Sequence, residues 1–158
     1  WNLNGFHTDR VLSFPAMLFG SRFYRGVFES FWGFFLKDPY TGPGTRLYQT
    51  VLPNGTPNGW VCMGNERTRD ALVLRTAGLG SWQEKVALLL EHFWWDSNFS
   101  DHVIDRLTAN GPRLHPRLSS LARWEAASRT EPNFIHTVAW DPAGTVEDFV
   151  RHLMGGSR

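Results

Sequence analysis

The chain has 158 residues and sets 16 Lys plus Arg against 15 Asp plus Glu, so its net charge of +1 gives no field that would draw it to nucleic acid, and no basic run supplies a local one. A composition of 42% apolar and 20% charged residues excludes a disordered chain, and no stretch approaches the roughly 20 apolar residues that cross a bilayer as a helix, so no membrane partner is expected. One cysteine excludes an internal disulfide framework and agrees with a reducing, cytoplasmic setting.

The sequence opens on Trp1, without Met and without a basic-then-apolar leader, which reads as a fragment or a processed chain forming one domain over residues 1–158. Eight Trp and 12 Phe predict an aromatic core or a sizeable apolar contact surface. In chain order, "RVLSFPAMLF" (10–19) reads as a mostly buried strand in which Pro15 removes a ladder donor, marking an edge or a bulge. "GVFESFWGFFL" (26–36) alternates Phe28, Ser30, Trp32 and Phe34 against Glu29, Phe31, Gly33 and Phe35, as a strand covered on both faces over part of its length does. "KDPYTGPG" (37–44) is a turn, with no Lys-Ser/Thr to make it a phosphate loop, and "TRLYQTV" (45–51) is a third strand.

The periodicity then changes. "SWQEKVALLLEHFWW" (81–95) places Trp82, Val86, Leu89, Leu90, Phe93 and Trp94 at helical spacing, with Ser81 as N-cap and Glu84 three residues on. "RLSSLARWEAAS" (117–128), opened by Pro116, is a second helix, and "TVEDFVRHLM" (145–154), from Thr145 to a stop at Gly155, is a third. Strands first and helices afterwards predict an α+β domain: an antiparallel meander followed by helices.

Between the two halves lies "LPNGTPNGWVCMGN" (52–65), where the only cysteine, Cys62, follows a run of Pro, Asn and Gly typical of a tightly folded loop. Taken alone, a free cysteine is commonly a small buried hydrophobe. The spacing adds a second reading. Pro53-Asn54 precedes Cys62 by eight residues, Gly59 by three, and Val61 and Met63 flank it. This segment resembles the active-site segment of ubiquitin-conjugating enzymes, in which a His-Pro-Asn triplet stands at this distance before Gly-x-Ile/Val-Cys-Leu. Here the triplet reads Leu52-Pro53-Asn54, so the His is replaced. "TRLYQTVLPNGTPNGWVCMG" (45–64) and "EHFWWDSNFSDH" (91–102) are similar to the two best-marked blocks of a bacterial branch, the conjugating-enzyme-like B proteins of PRTRC cassettes, which also lack that His.

The resemblance implies a ubiquitin-conjugating type of fold, a thioester on Cys62, and three partners: a ThiF-type activating enzyme, a ubiquitin-like modifier and a protein substrate. It implies no cofactor at this step. Asn54 becomes the candidate oxyanion donor, a role whose loss costs ~10²–10³ in rate elsewhere. Asn58 is a possible sharer of that role, since Leu52 cannot donate the hydrogen bond that orders the loop in the wider family. His102, in the turn expected after the 81–95 helix, is a candidate base or orienter. The alternative, from another class, is a catalytically inactive module of the same fold that docks through its aromatic surface; a third is a structural component of a larger assembly. The six His lack i, i+4 spacing and one cysteine builds no zinc knuckle, so no metal site is expected. For Asn54 a plain turn role stays open beside the catalytic one, and "MGGSR" at the end reads as a frayed helix stop.

Overall fold

Four phenylalanines and a tryptophan among the ten residues Val27–Leu36 make the strand on which the fold is built. The computed structural model describes residues 2–3, 6–7, 10–51, 55–95, 98–99 and 101–155. Near the start, β1 (Asn2–Leu3) and β2 (Phe6–His7) pair antiparallel, and β1 runs parallel to β6 (Asn98–Phe99). The main sheet comprises β3 (Ala16–Tyr24), β4 (Val27–Leu36), β5 (Arg46–Tyr48) and β7 (Pro142–Thr145), in the order β3-β4-β5-β7 with every neighbour antiparallel. Among the described residues the helices are α1 (Glu66–Ala77), α2 (Trp82–Leu90), α3 (Asp101–Leu114), α4 (Leu121–Thr130) and α5 (Val146–Met154). An antiparallel sheet followed by helices is the α+β class expected, with one late strand, β7, added to the sheet between α4 and α5.

The core explains why β4 is apolar along both faces. Trp32, Phe34 and Leu36 join Leu47, Val146 and Phe149 under α5, whereas Phe31 meets Val61, Leu72, Leu89 and Phe93 under α1 and α2. Phe35 enters a third cluster with Trp124, Phe134 and Trp140 around α3 and α4. The alternation predicted for this strand breaks at one place. Arg22 pairs with Ser30 but Phe23 pairs with Phe28, so Glu29 is the extra residue of a bulge, and Phe28 shares the face of Phe31 instead of that of Trp32. The displaced Glu29 carboxylate accepts from Arg22 Nε at 2.6 Å.

The other expected elements shift for identifiable reasons. The strand expected over 10–19 is β3, which starts at Ala16 because the preceding segment spends its backbone groups on α4: Ser13 N–H donates to Ser128 Oγ (2.8 Å) and Ser13 C=O accepts from Trp124 Nε1 (3.1 Å). The third strand ends at Tyr48, since Gln49 N–H turns to the Asp141 carbonyl. The 81–95 helix is α-helical only to Leu90 and continues as a π turn, Glu91–Trp95; its Ser81–Glu84 capping box is present. Leu89 and Phe93 are buried, but Trp82 is 59% exposed, so the apolar stripe is narrower than its spacing suggested. Pro116 opens a 3-10 turn, Pro116–Leu118, whose first donor Arg117 N–H is taken by His115 Nδ1; α4 starts later, capped by Ser120. Thr145 caps α5, as its sequence implied, and Asp148 returns a hydrogen bond to the Thr145 N–H, completing a capping box.

The segment before β3 is held to α4 by Glu125, which accepts from Arg10 Nη1 at 2.7 Å and Arg129 Nη2 at 2.8 Å. Those two guanidinium hydrogen bonds hold its carboxyl down at about 2. A carboxylate with a depressed folded pKa contributes stability above its unfolded value of about 4.3, and that contribution is lost as pH falls toward 2. Thermal melts between pH 6 and pH 2 are therefore expected to show a steeper acid loss in the native chain than in Glu125→Gln. Parallel curves would remove this clasp from the account of acid stability.

Candidate functional site

The loop carrying Cys62 is fastened to the sheet by its backbone. β5 meets β4 at Phe35↔Tyr48, and farther along the same edge of β4 the loop takes the place of β5. Trp60 bridges Trp32, Gly33 N–H donates to the Gly59 carbonyl and Val61 N–H donates to the Phe31 carbonyl, both at 2.9 Å. Val61 goes down into the cluster under α1 and α2, and Trp60 packs on the opposite face against the cluster under α5. The turn closing this short ladder is internally bonded. Thr56 N–H donates to the Trp60 carbonyl (2.8 Å), Gly59 N–H to the Thr56 carbonyl (2.9 Å), and Asn58 Oδ1 accepts from Trp60 N–H (3.3 Å) and from the Thr56 hydroxyl.

Gly59 is where the turn meets the sheet. Its φ is +80°, and a Cβ placed there would lie 2.2 Å from the Phe34 ring. Both backbone handedness and space demand glycine.

Cys62 follows directly and is exposed. Met63 then packs against the cluster under α1 and α2, Gly64 turns with φ +75°, and Asn65 caps α1 by accepting from Thr68 N–H at 3.0 Å. The thiol thus sits on a three-residue link, from Val61 in the core to the cap of α1, with both ends fixed.

The other sequence candidates are placed less closely. Asn54, with Leu52 and Pro53, lies outside the described residues. His102 belongs to the first turn of α3, not to a turn before it, and its side chain is likewise outside the described part. Asn58, the residue weighed as a partner to Asn54, has its carbonyl oxygen engaged within the loop, which turns its amide N–H groups away from Trp60. Of the set proposed from sequence, Cys62, Gly59 and Asn58 share one short segment. Among the described residues no three His, Cys, Asp or Glu side chains come together as a metal site. No helix of the described chain is long and apolar enough to cross a membrane.

Sequence reading passed over α1, which starts three residues beyond Cys62's neighbour Met63, and the groove beside it. Arg67, Thr68, Ala71, Leu72 and Arg75 line this groove from the helix, and His92 closes it from the π turn. His92 is partly buried with its ring edge-on to Phe93, centroids 5.0 Å apart. The signal available was two arginines eight residues apart in "RTRDALVLR". Comparison of the chain with protein-family models, with curated proteins and with solved structures finds no match.

Gly59→Ala is expected to lower the unfolding free energy by about 2–4 kcal/mol, combining a left-handed non-glycine residue with displacement of a core ring. Gly26 is the internal control: it has φ +83° but no atom within 4 Å of a would-be Cβ, so Gly26→Ala should cost only the backbone share, about 1 kcal/mol. Urea denaturation of both variants checks this. Equal losses would mean that the Phe34 contact contributes nothing.

Proposed function

We propose that this chain has the ubiquitin-conjugating type of fold and relays a ubiquitin-like modifier through a thioester on Cys62. A ThiF-type enzyme would supply the modifier in activated form, and an amine of a protein substrate would receive it. A cytoplasmic setting belongs to the same reading. The observation that carries it is an exposed thiol on a short link whose two ends are fixed, one in the β4 ladder and core, the other at the cap of α1.

The chemistry asks for little else. The thiolate form attacks the activated carbonyl carbon, the S–C bond forms as the bond to the activating enzyme's leaving group breaks, and the thiol proton passes to solvent. In the second step an amine attacks the thioester carbon, the oxygen carries the developing charge, and collapse expels the Cys62 thiolate. A fixed backbone around the sulfur lowers the reorganisation needed when the acyl group is attacked. Incubation with activating enzyme, ATP and modifier should give an adduct that a thiol reductant removes. Cys62→Ser should give no adduct or a reductant-resistant ester. A reductant-resistant adduct that forms equally on the Cys62→Ser chain would be an amide made without the thioester, and would remove Cys62 as the carrier.

Asn54 is tested separately. As oxyanion donor, its replacement by Ala should leave the melting temperature unchanged and slow single-turnover discharge on the order of 10²-fold, about 2.7 kcal/mol. As a turn residue only, it should cost about 1 kcal/mol of stability and leave discharge per folded molecule unchanged.

A specific observation favours the second reading, a non-catalytic docking module. Trp82 stands exposed with its ring 4.9 Å from Phe23, and Lys85 Nζ lies over both rings, at 5.2 Å and 5.8 Å. Such an aromatic pair with a cation above it is a contact surface in its own right. Loss of partner binding in Trp82→Ala, with Cys62→Ser binding normally and no adduct ever formed, would favour this reading over the relay.

A further inference from the structure

The groove between α1 and the π turn does not contain Cys62 and takes no part in the thioester chemistry itself. Its volume is about 280 Å³, and its two ends are cationic while its middle is apolar: Arg67 at one end, Arg75 at the other, Ala71 and Leu72 between them, His92 on the facing wall. Neither guanidinium makes an ion pair among the described residues, whereas seven ion pairs tie up the arginines at positions 10, 22, 113, 117, 129 and 151. Glu66 and Asp70, the acidic residues of the helix, do not line the groove, and neither forms an ion pair with Arg67 or Arg75.

The spacing selects the ligand. Positions 67 and 75 are eight residues apart on a helix, a separation of about 12 Å along its axis. In an extended peptide, residues i and i+4 project to the same side about 13 Å apart, with residue i+2 midway. A carboxylate at each end and an aliphatic side chain in the middle would match the two guanidiniums and the Ala71–Leu72 floor. Thr68 adds a polar contact: its hydroxyl proton is given to Asn65 Oδ1 at 3.1 Å, which leaves oxygen lone pairs to accept a peptide N–H. A nucleic-acid strand is matched poorly, because it needs a row of cations along successive phosphates and the floor here is apolar.

We infer that this groove docks an extended acidic segment of a partner protein, with the pattern acidic-x-aliphatic-x-acidic. The inference is independent of the thioester reading, since it concerns binding alone.

The probe is an N-acetylated heptapeptide with glutamates at its second and sixth positions and a leucine at its fourth, titrated into the full chain by amide-detected NMR. Shift changes should be confined to α1 and the residues around His92. Arg67→Glu combined with Arg75→Glu should weaken binding by about tenfold or more, and raising NaCl from about 0.05 to 0.5 M should weaken it in the native chain. Arg67→Gln with Arg75→Gln is the milder pair, and the amide spectra report whether each variant is folded. The same peptide with lysines for glutamates should not bind. Shifts elsewhere or none at millimolar peptide, equal binding of the lysine peptide, or unchanged binding by either folded arginine pair would overturn the inference. So would tighter binding of a thymidine oligonucleotide at the same residues.

Discussion

The structure around Cys62 depends on one short ladder, the pairing of residues 59–61 with Phe31–Gly33 of β4. The two hydrogen bonds that make the Trp32–Trp60 bridge are a small inventory, yet they fix where the chain leaves the sheet after residue 61. β5 is too short to cover the whole edge of β4, meeting it at Phe35↔Tyr48, and the loop occupies part of what is left. An uncovered stretch of that edge would leave backbone donors and acceptors unpaired beside a core of aromatic rings, where each costs on the order of 1–3 kcal/mol. The loop therefore supplies the sheet with hydrogen bonds, and the sheet supplies the loop with a fixed conformation.

Gly59 makes this arrangement possible and explains its position in the sequence. Any side chain at 59 would drive into Phe34, itself packed against Phe149 of α5 with centroids 4.9 Å apart. The cluster under α5 thus presses on the loop from one side. On the other, Val61 is held with Leu72 and Leu89 by α1 and α2. An exposed cysteine beside so buried a residue as Val61 is not a surface accident of a loose loop; its neighbours are fixed from both faces of the sheet.

How much of this could be read from the sequence depended on whether local patterns carried the structural cause. β4 was legible because every second residue along most of it is large and apolar, and α5 because Thr145 stands where an N-cap must and Gly155 where the helix stops. The tight loop at 55–61 was legible from Pro, Asn and Gly. α1 was not, because its apolar residues Ala71, Leu72, Val73 and Leu74 are consecutive and only Leu72 and Thr76 are buried. A helix with one buried apolar side chain and a buried threonine that bonds back to Leu72 C=O has no stripe to recognise. α3 was hidden by Gly111 and Pro112, which ordinarily end helices but here stand in its last turn. β7 was hidden because Pro142-Ala143-Gly144-Thr145 has no strand character of its own; its place is set by β5 and by the cap that follows. The bulge at Glu29 needs the partner strand to be seen at all.

The two proposals meet at the turn between Cys62 and α1. Gly64 reverses the chain with its Cα facing Thr68, where a Cβ would come within 3.4 Å of the threonine Cβ. From that contact and the reach of two residues, the Cα atoms of Cys62 and Thr68 are no more than about 14 Å apart. Thr68 lies at the Arg67 end of the groove, so an acidic segment bound along α1 would have its Arg67 end on the side of the Cys62 link, with its two acidic residues about 12 Å apart along the helix. On the two proposals together, a substrate held there would carry the residues beyond its Arg67-bound acidic side chain toward Cys62 at an effective concentration of order millimolar, without any further contact to the loop. Under both proposals the β4 ladder would place the sulfur, and α1, starting from the Asn65 cap, would offer the charges that select what comes close to it.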